Sequence, residues 1–148
     1  MRAWLGVVSA DHVARAVSEG VAQVCHGRRA PLARMHDGDI LVYYSPKTSR
    51  SDGTTLKAFT AVGEIRGEEI WQVDMGAGFT PFRRTVDWDK SVKPVALSAV
   101  QHDLELTSRT NWGYELRRGL LPLSFADLEV IKSRARGESS FPRTGAAS

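Results

Sequence analysis

The chain has 148 residues, room for one domain of ordinary size, and 42% hydrophobic with 25% charged content excludes a disordered or fibrous chain. Lys and Arg number 20 against 17 Asp and Glu, and the surplus of +3 is concentrated in residues 1–50, which carry +3 by themselves. That bias permits contact with nucleic acid without demanding it. A single cysteine, Cys25, excludes an internal disulfide and a four-cysteine zinc site, and no apolar run approaches the roughly 20 residues that cross a bilayer. With no signal-peptide pattern at the N-terminus, a soluble cytoplasmic protein without membrane contact is expected.

In chain order, residues 3–8 are apolar throughout and end in Ser9-Ala10-Asp11, the pattern of a buried strand leading into a helix N-terminus. The helix is expected over 10–19, with Val13, Ala16 and Val17 on one face and Gly20 as its stop. Residues 21–29 have no clear period, and Pro31 to Met35 suggests one helical turn with proline at its start. After the Asp37-Gly38-Asp39 turn, 40–45 reads as a strand ended by Pro46, and 47–55 as a polar, mobile loop. Strands are expected over 56–65 and 69–73, joined by a tight turn at 66–68, and again over 83–87 beyond a Gly-rich connection that carries Phe79 and Phe82. Residues 94–103 suggest a short strand running into a helical turn, and 118–123 a closing strand. Ser124 and Asp127 resemble a capping box with Asp in place of Glu, opening a helix to about Ala135. Five or six short strands with three small helices indicate an α+β domain over 1–136, built on a curled sheet or small barrel, and a flexible Gly- and Ser-rich tail over 137–148.

Catalytic patterns are weak. Cys25 and His26 are neighbours, but adjacent residues on an extended segment point opposite ways, so adjacency does not make a nucleophile and base; a hydrolase reading on Cys25 stands only as a third alternative. The four histidines lack metal-binding spacing, so no metal is expected, and Gly76-Ala77-Gly78 lacks the further glycine of a dinucleotide loop, so no cofactor is expected either. Binding is better supplied. Most aromatics must serve the core, yet Phe79 and Phe82 flank Pro81 outside regular structure, where rings either stack on a planar ligand or pin the loop to the core. Basic clusters lie beside these segments: Arg28, Arg29 and Arg34; Arg83 and Arg84; Arg109, Arg117 and Arg118. Each cluster taken singly reads as a solvated face, while the three together, next to aromatic loops, suggest a phosphate-tracking surface.

Several runs resemble the EVE domain family, a branch of the PUA-like superfamily related to YTH domains. They are Trp4-Leu5-Gly6-Val7-Val8-Ser9, Gln23-Val24-Cys25-His26-Gly27, Tyr43-Tyr44-Ser45-Pro46-Lys47, Phe79-Thr80-Pro81-Phe82-Arg83-Arg84 and Asn111-Trp112-Gly113-Tyr114, within a likeness spanning about 2–132. The resemblance implies a PUA-like, highly curved mixed sheet forming a partial barrel with flanking short helices. It implies a pocket for a modified base turned out of its strand, DNA or RNA, bordered by Ser9, Gln23, Val24, His26, Ser45, Phe79 and Phe82. Where YTH readers wall the base with tryptophans, this chain has Ala22-Gln23-Val24 and the two Phe residues, which implies a different cage. Arg28, Arg29, Lys47, Arg83 and Arg84 are the expected phosphate contacts. The leading expectation is a non-catalytic reader whose effect is exerted by another protein. The alternative is a sensor that takes a free nucleoside or nucleotide in the same pocket.

Overall fold

The computed structural model describes residues 1–51 and 53–137. In chain order its elements are β1 (Ala3–Val7), α1 (Ala10–Glu19), the unexpected two-residue β2 (Val21–Ala22), α2 (Arg29–Ala33), β3 (Ile40–Lys47), β4 (Thr55–Gln72) and β5 (Phe82–Trp88). After these come β6 (Val95–Ala96), α3 (Leu97–Val100), α4 (Trp112–Glu115), β7 (Leu120–Leu123) and α5 (Phe125–Ala135), with short 3-10 turns between. The expected tail lies, from residue 138, outside the described residues.

The seven strands form one mixed sheet in the order β2-β5-β4-β3-β1-β7, with β6 added beside β4. β1 and β3 run parallel, because 32 residues containing two helices separate them and allow the crossover that parallel neighbours require. The other pairings are antiparallel. Register shifts between Tyr43 and Tyr44, Ser45 and Lys47, and Ile65 and Ile70 bend the sheet strongly. It stays open, ending on β2 at one edge and β7 at the other, as a curved sheet and not a closed barrel.

Both faces of the sheet are covered, which is why β1 is apolar at every position. Ala3, Leu5, Val42, Tyr44 and Leu121 pack on one side with Leu128 and Ile131 of α5; Trp4, Leu41, Tyr43, Trp88 and Leu120 pack on the other with Val13 of α1 and Leu32 of α2. Helix α1 ends as expected, on Gly20 in the left-handed conformation (φ 71°), and Ser124 caps α5 by accepting the Asp127 N–H at 3.1 Å. The Asp127 carboxylate does not complete a capping box. It accepts instead from the Glu105 and Leu106 N–H groups at 2.7 and 2.9 Å, tying α5 to the chain before α4.

Three expectations need correction. The strands expected over 56–65 and 69–73 are one strand, β4, which passes the expected turn through its register shift, with Gly67 at φ 72°. Pro46 does not end β3; it sits at an irregularity in the ladder, where its missing N–H removes nothing. The closing strand begins at Leu120 and not at 118, because Leu116–Arg118 form a 3-10 turn that Gly119 (φ 79°) ends.

Candidate functional site

β1 and β3 end side by side, and a cavity of about 410 Å³ opens at those ends. Val7, Val8 and Pro46 give it apolar surface. The chain from Gln23 to Arg28 forms a second border, Leu116 to Gly119 a third, and Phe79 leans in from the Gly-rich loop.

The Gln23 segment is held from below. Tyr43 on β3 is fully buried, and its hydroxyl accepts the Gln23 N–H at 3.1 Å while donating to the Gln23 carbonyl at 3.2 Å. Burial pushes the Tyr43 phenol far up, beyond what the bond from the Gln23 backbone offsets, so the hydroxyl keeps its proton. The ring stacks on Trp88 of β5 at 4.9 Å between centroids. Trp88 in turn donates its indole N–H to the Val21 carbonyl at 2.9 Å, so both ends of the 21–23 stretch are fixed by core aromatics.

Beyond Gln23 the chain makes a tight turn in which Cys25, His26 and Gly27 all have positive φ, at 52°, 61° and 82°. Gly27 is required twice over: by that conformation, and because a Cβ there would lie 2.3 Å from the Pro81 Cβ. The close approach seats the His26 turn against the loop that carries Phe79. On the other side, the Cys25 thiol donates to the Arg118 carbonyl at 3.6 Å, and Gly119 leaves room for the sulfur. The thiol is thus directed toward the 116–119 border.

The Gly-rich loop is closed by two hydrogen bonds of 2.9 Å, Met75 N–H to the Phe79 carbonyl and Phe79 N–H to the Gly76 carbonyl. Phe79 is left 41% exposed at the cavity. Phe82 is not, since it begins β5 and packs on the Trp88 side of the core. One ring of the expected pair therefore lines the cavity, and the other belongs to the core.

Of the remaining expected ligand-binding residues, Ser9, Gln23, Val24 and His26 line the cavity and Ser45 does not. Ser45 is fully buried, its hydroxyl bonded to that of Thr60 across β3 and β4 at 2.8 Å, because β3 continues past it and presents Pro46 and Lys47 at the rim instead. The Ser9 hydroxyl donates to Asp11 at 2.6 Å. That bond, despite some burial and with help from the His12 N–H, holds the Asp11 carboxyl below the usual carboxylate range.

The five expected phosphate contacts divide. Arg28 and Lys47 line the cavity, whereas Arg29 is exposed on α2 away from it. Arg83 is held by Glu19 at 2.6 Å and by the Gln23 side chain at 3.0 Å. Arg84 cannot reach a phosphate at all. It is 1% exposed, and its guanidinium donates to the Leu32 and Met35 carbonyls at 2.9 and 2.7 Å and to the Gly67 carbonyl. It fastens the end of α2 to the bend in β4.

Sequence reasoning passed over His12 and Arg50, and left Arg117 and Arg118 among the general basic clusters, yet all four line the cavity. The Arg-Arg pair directly before the closing strand was the available signal. With Arg28 and Lys47 they give the cavity five Arg and Lys residues, two histidines and no carboxylate. Among the described residues, Arg28, Lys47, Arg50 and Arg118 make no ion pair, and Arg117 lies over the exposed Tyr114 ring at 5.4 Å. No cluster of three or more metal-ligating side chains occurs among the described residues, and no helix there is long and apolar enough to cross a membrane.

Comparison with known proteins places this architecture. The profile of the EVE domain matches residues 2–134. A UPF0310 protein of Renibacterium salmoninarum is 50% identical over 129 residues, 87% of this chain and 91% of its own length. A UPF0310 protein of Streptococcus gordonii is 42% identical over 137 residues, covering 90% of this chain and 97% of its own. Among solved structures, Rpa0253 from Rhodopseudomonas palustris is similar with a TM-score of 0.59 at 18% identity, covering 91% of this chain and 93% of its own. The N-terminal domain of Staphylothermus marinus McrB is similar with a TM-score of 0.53 at 13% identity, covering 89% and 93%. At those identities the two structures speak for the fold. The match over nearly the whole chain, together with the curved PUA-like sheet, shows that the chain belongs to the EVE domain family.

Proposed function

We propose that the protein binds nucleic acid and takes one base, turned out of its strand, into the cavity at the ends of β1 and β3. The observation that carries this reading is the pairing of an exposed Phe79 ring with five cationic side chains around a carboxylate-free cavity of about 410 Å³. A base requires a flat wall, apolar floor and a few polar groups for its edge. Phe79 supplies the wall, Val7, Val8 and Pro46 the floor, and Ser9, Gln23 and His26 the polar groups. Arg28, Lys47, Arg50 and Arg118, without ion-pair partners among the described residues, are suited to the phosphates on either side.

In this reading the selected base carries a modification that fills the cavity better than the plain base. Because one methyl in an apolar pocket is worth only about 1–3 kcal/mol, methylation alone gives moderate selectivity. Binding leaves the base chemically unchanged, and any consequence lies with a second protein. A free nucleotide as the natural ligand is the second reading, favoured by a net charge of only +3.

A binding screen of the purified protein against modified and unmodified DNA and RNA oligonucleotides tests both. Strand binding should weaken steeply with salt through counterion release, whereas a free nucleotide, carrying its own few charges, gives a shallow dependence. Phe79→Ala should cost about 1–3 kcal/mol of affinity, the worth of one base–aromatic stack. Because the ring is far from fully buried, stability should change little. Loss of stability without loss of affinity would return Phe79 to a packing role.

A further inference from the structure

Gln23, on the border of the cavity, is paired with Arg83 of β5. The Arg83 Nε lies 3.0 Å from the Gln23 Oε1. A guanidinium has only donors, so the amide atom facing it must be the oxygen, and the usual ambiguity of amide orientation does not arise here. The other end of Arg83 is fixed by Glu19 at 2.6 Å, and its remaining nitrogen lies 3.4 Å from the Met75 sulfur in the loop that carries Phe79. The Gln23 backbone is locked by the Tyr43 hydroxyl through both its N–H and its carbonyl. Gln23 lines the cavity with its side-chain oxygen turned to Arg83, and its two amide N–H groups have no partner among the described residues.

From this we infer that Gln23 is a dedicated donor and that the cavity selects a base edge bearing a carbonyl oxygen over one bearing an exocyclic amino group. Arg83 is then a positioning residue and not a phosphate contact. It forces the amide into the donor orientation, and Glu19 keeps it there. The inference rests on the base-pocket reading above.

The test uses six nucleoside 5′-monophosphates, three with a carbonyl at C4 or C6 (inosine, uridine, 5-methyluridine) and three with an amino group there (adenosine, cytidine, 5-methylcytidine). All carry the same phosphate. The carbonyl set should bind about tenfold more tightly, the worth of one hydrogen bond made or left unmade at a partly buried site. Gln23→Glu keeps the contact with Arg83 but turns the free atom into an acceptor, so the preference should reverse. Arg83→Met releases the amide to rotate, and the preference should collapse toward equality while the salt slope for an oligonucleotide stays fixed. A phosphate-binding Arg83 would behave oppositely, with the slope falling by roughly 0.7 to 0.9 and the preference intact. Equal binding of both sets by the unaltered protein overturns this inference and leaves the base pocket standing. If none of the six binds, the same six bases placed one at a time at a single position of one oligonucleotide replace them, and failure of every oligonucleotide to bind defeats the base-pocket reading and this inference with it.

Discussion

Two adjacent arginines show how little a residue's type says about its task. Arg83 and Arg84 alternate across β5, so one meets the Gln23 edge of the cavity and the other is driven into the interior. Arg84 survives burial because three carbonyls, of Leu32, Met35 and Gly67, receive its guanidinium, although its Nε has no partner among the described residues. Arg84→Met keeps the apolar stem but removes all three bonds; the buried Met35 carbonyl loses its donor, the Leu32 carbonyl keeps the Met35 N–H, and Gly67 lies at an exposed bend. One buried carbonyl left unpaired costs about 1–3 kcal/mol, so stability should fall by at least ~1 kcal/mol in denaturant titration. An unchanged midpoint would place Arg84 at the surface after all. Reading both arginines as phosphate contacts was natural from the sequence, since alternation says that they face opposite sides without saying which side is filled. The same limit separates Phe79 from Phe82: one falls just before β5 begins, the other on its first residue.

At the scale of elements, punctuation was the most legible part. Gly20, Ser124 and the apolar run of β1 placed α1, α5 and β1 to within a residue or so, because caps and buried strands are local chemistry. The 21–29 stretch was illegible for the opposite reason. Its shape comes from distant partners, the Tyr43 hydroxyl, the Trp88 indole and the Pro81 ring. Those long-range contacts build the cavity border, so the site was harder to read than the fold that carries it. Gly27→Ala probes that border directly. The added methyl would meet Pro81 at 2.3 Å and strain a backbone at φ 82°. About 1–3 kcal/mol of stability should be lost to overpacking. Ligand affinity should fall as well, because the His26 turn and the Phe79 loop are pushed apart. A variant that loses stability but binds normally would separate the turn from the site.

Across the whole molecule, one buried carboxylate ties the start of the sheet together. Asp39 accepts from the Arg2 N–H, the Trp4 indole and the His36 N–H, each at 2.9 Å. Burial pushes its pKa up, but those three bonds outweigh it and hold the carboxyl below its ordinary value of 3.8. A group depressed in the folded state contributes stability that is complete above the unfolded pKa and is lost as pH falls through the folded one. Asp39→Asn should therefore lower stability at neutral pH by about 1–3 kcal/mol and flatten the loss of stability below pH ~4. Parallel acid limbs for the two proteins, followed by urea midpoint against pH, would assign the acid sensitivity elsewhere.

The proposed site lies where the parallel pair of the sheet, β1 and β3, ends at the cationic cavity. A second cavity of about 330 Å³, bordered by Glu64, Asp87, Asp89, Lys132 and Arg136, mixes both signs of charge and makes a natural control surface. The most direct measurement is amide chemical-shift mapping during titration with the tightest oligonucleotide from the screen. Shifts should concentrate on Val7 to Ser9, Gln23 to Arg28, Phe79 and Leu116 to Gly119, while Glu64, Asp87 and Lys132 stay still. Shifts confined to the second cavity, with the first silent, would contradict nucleic-acid binding at the ends of β1 and β3.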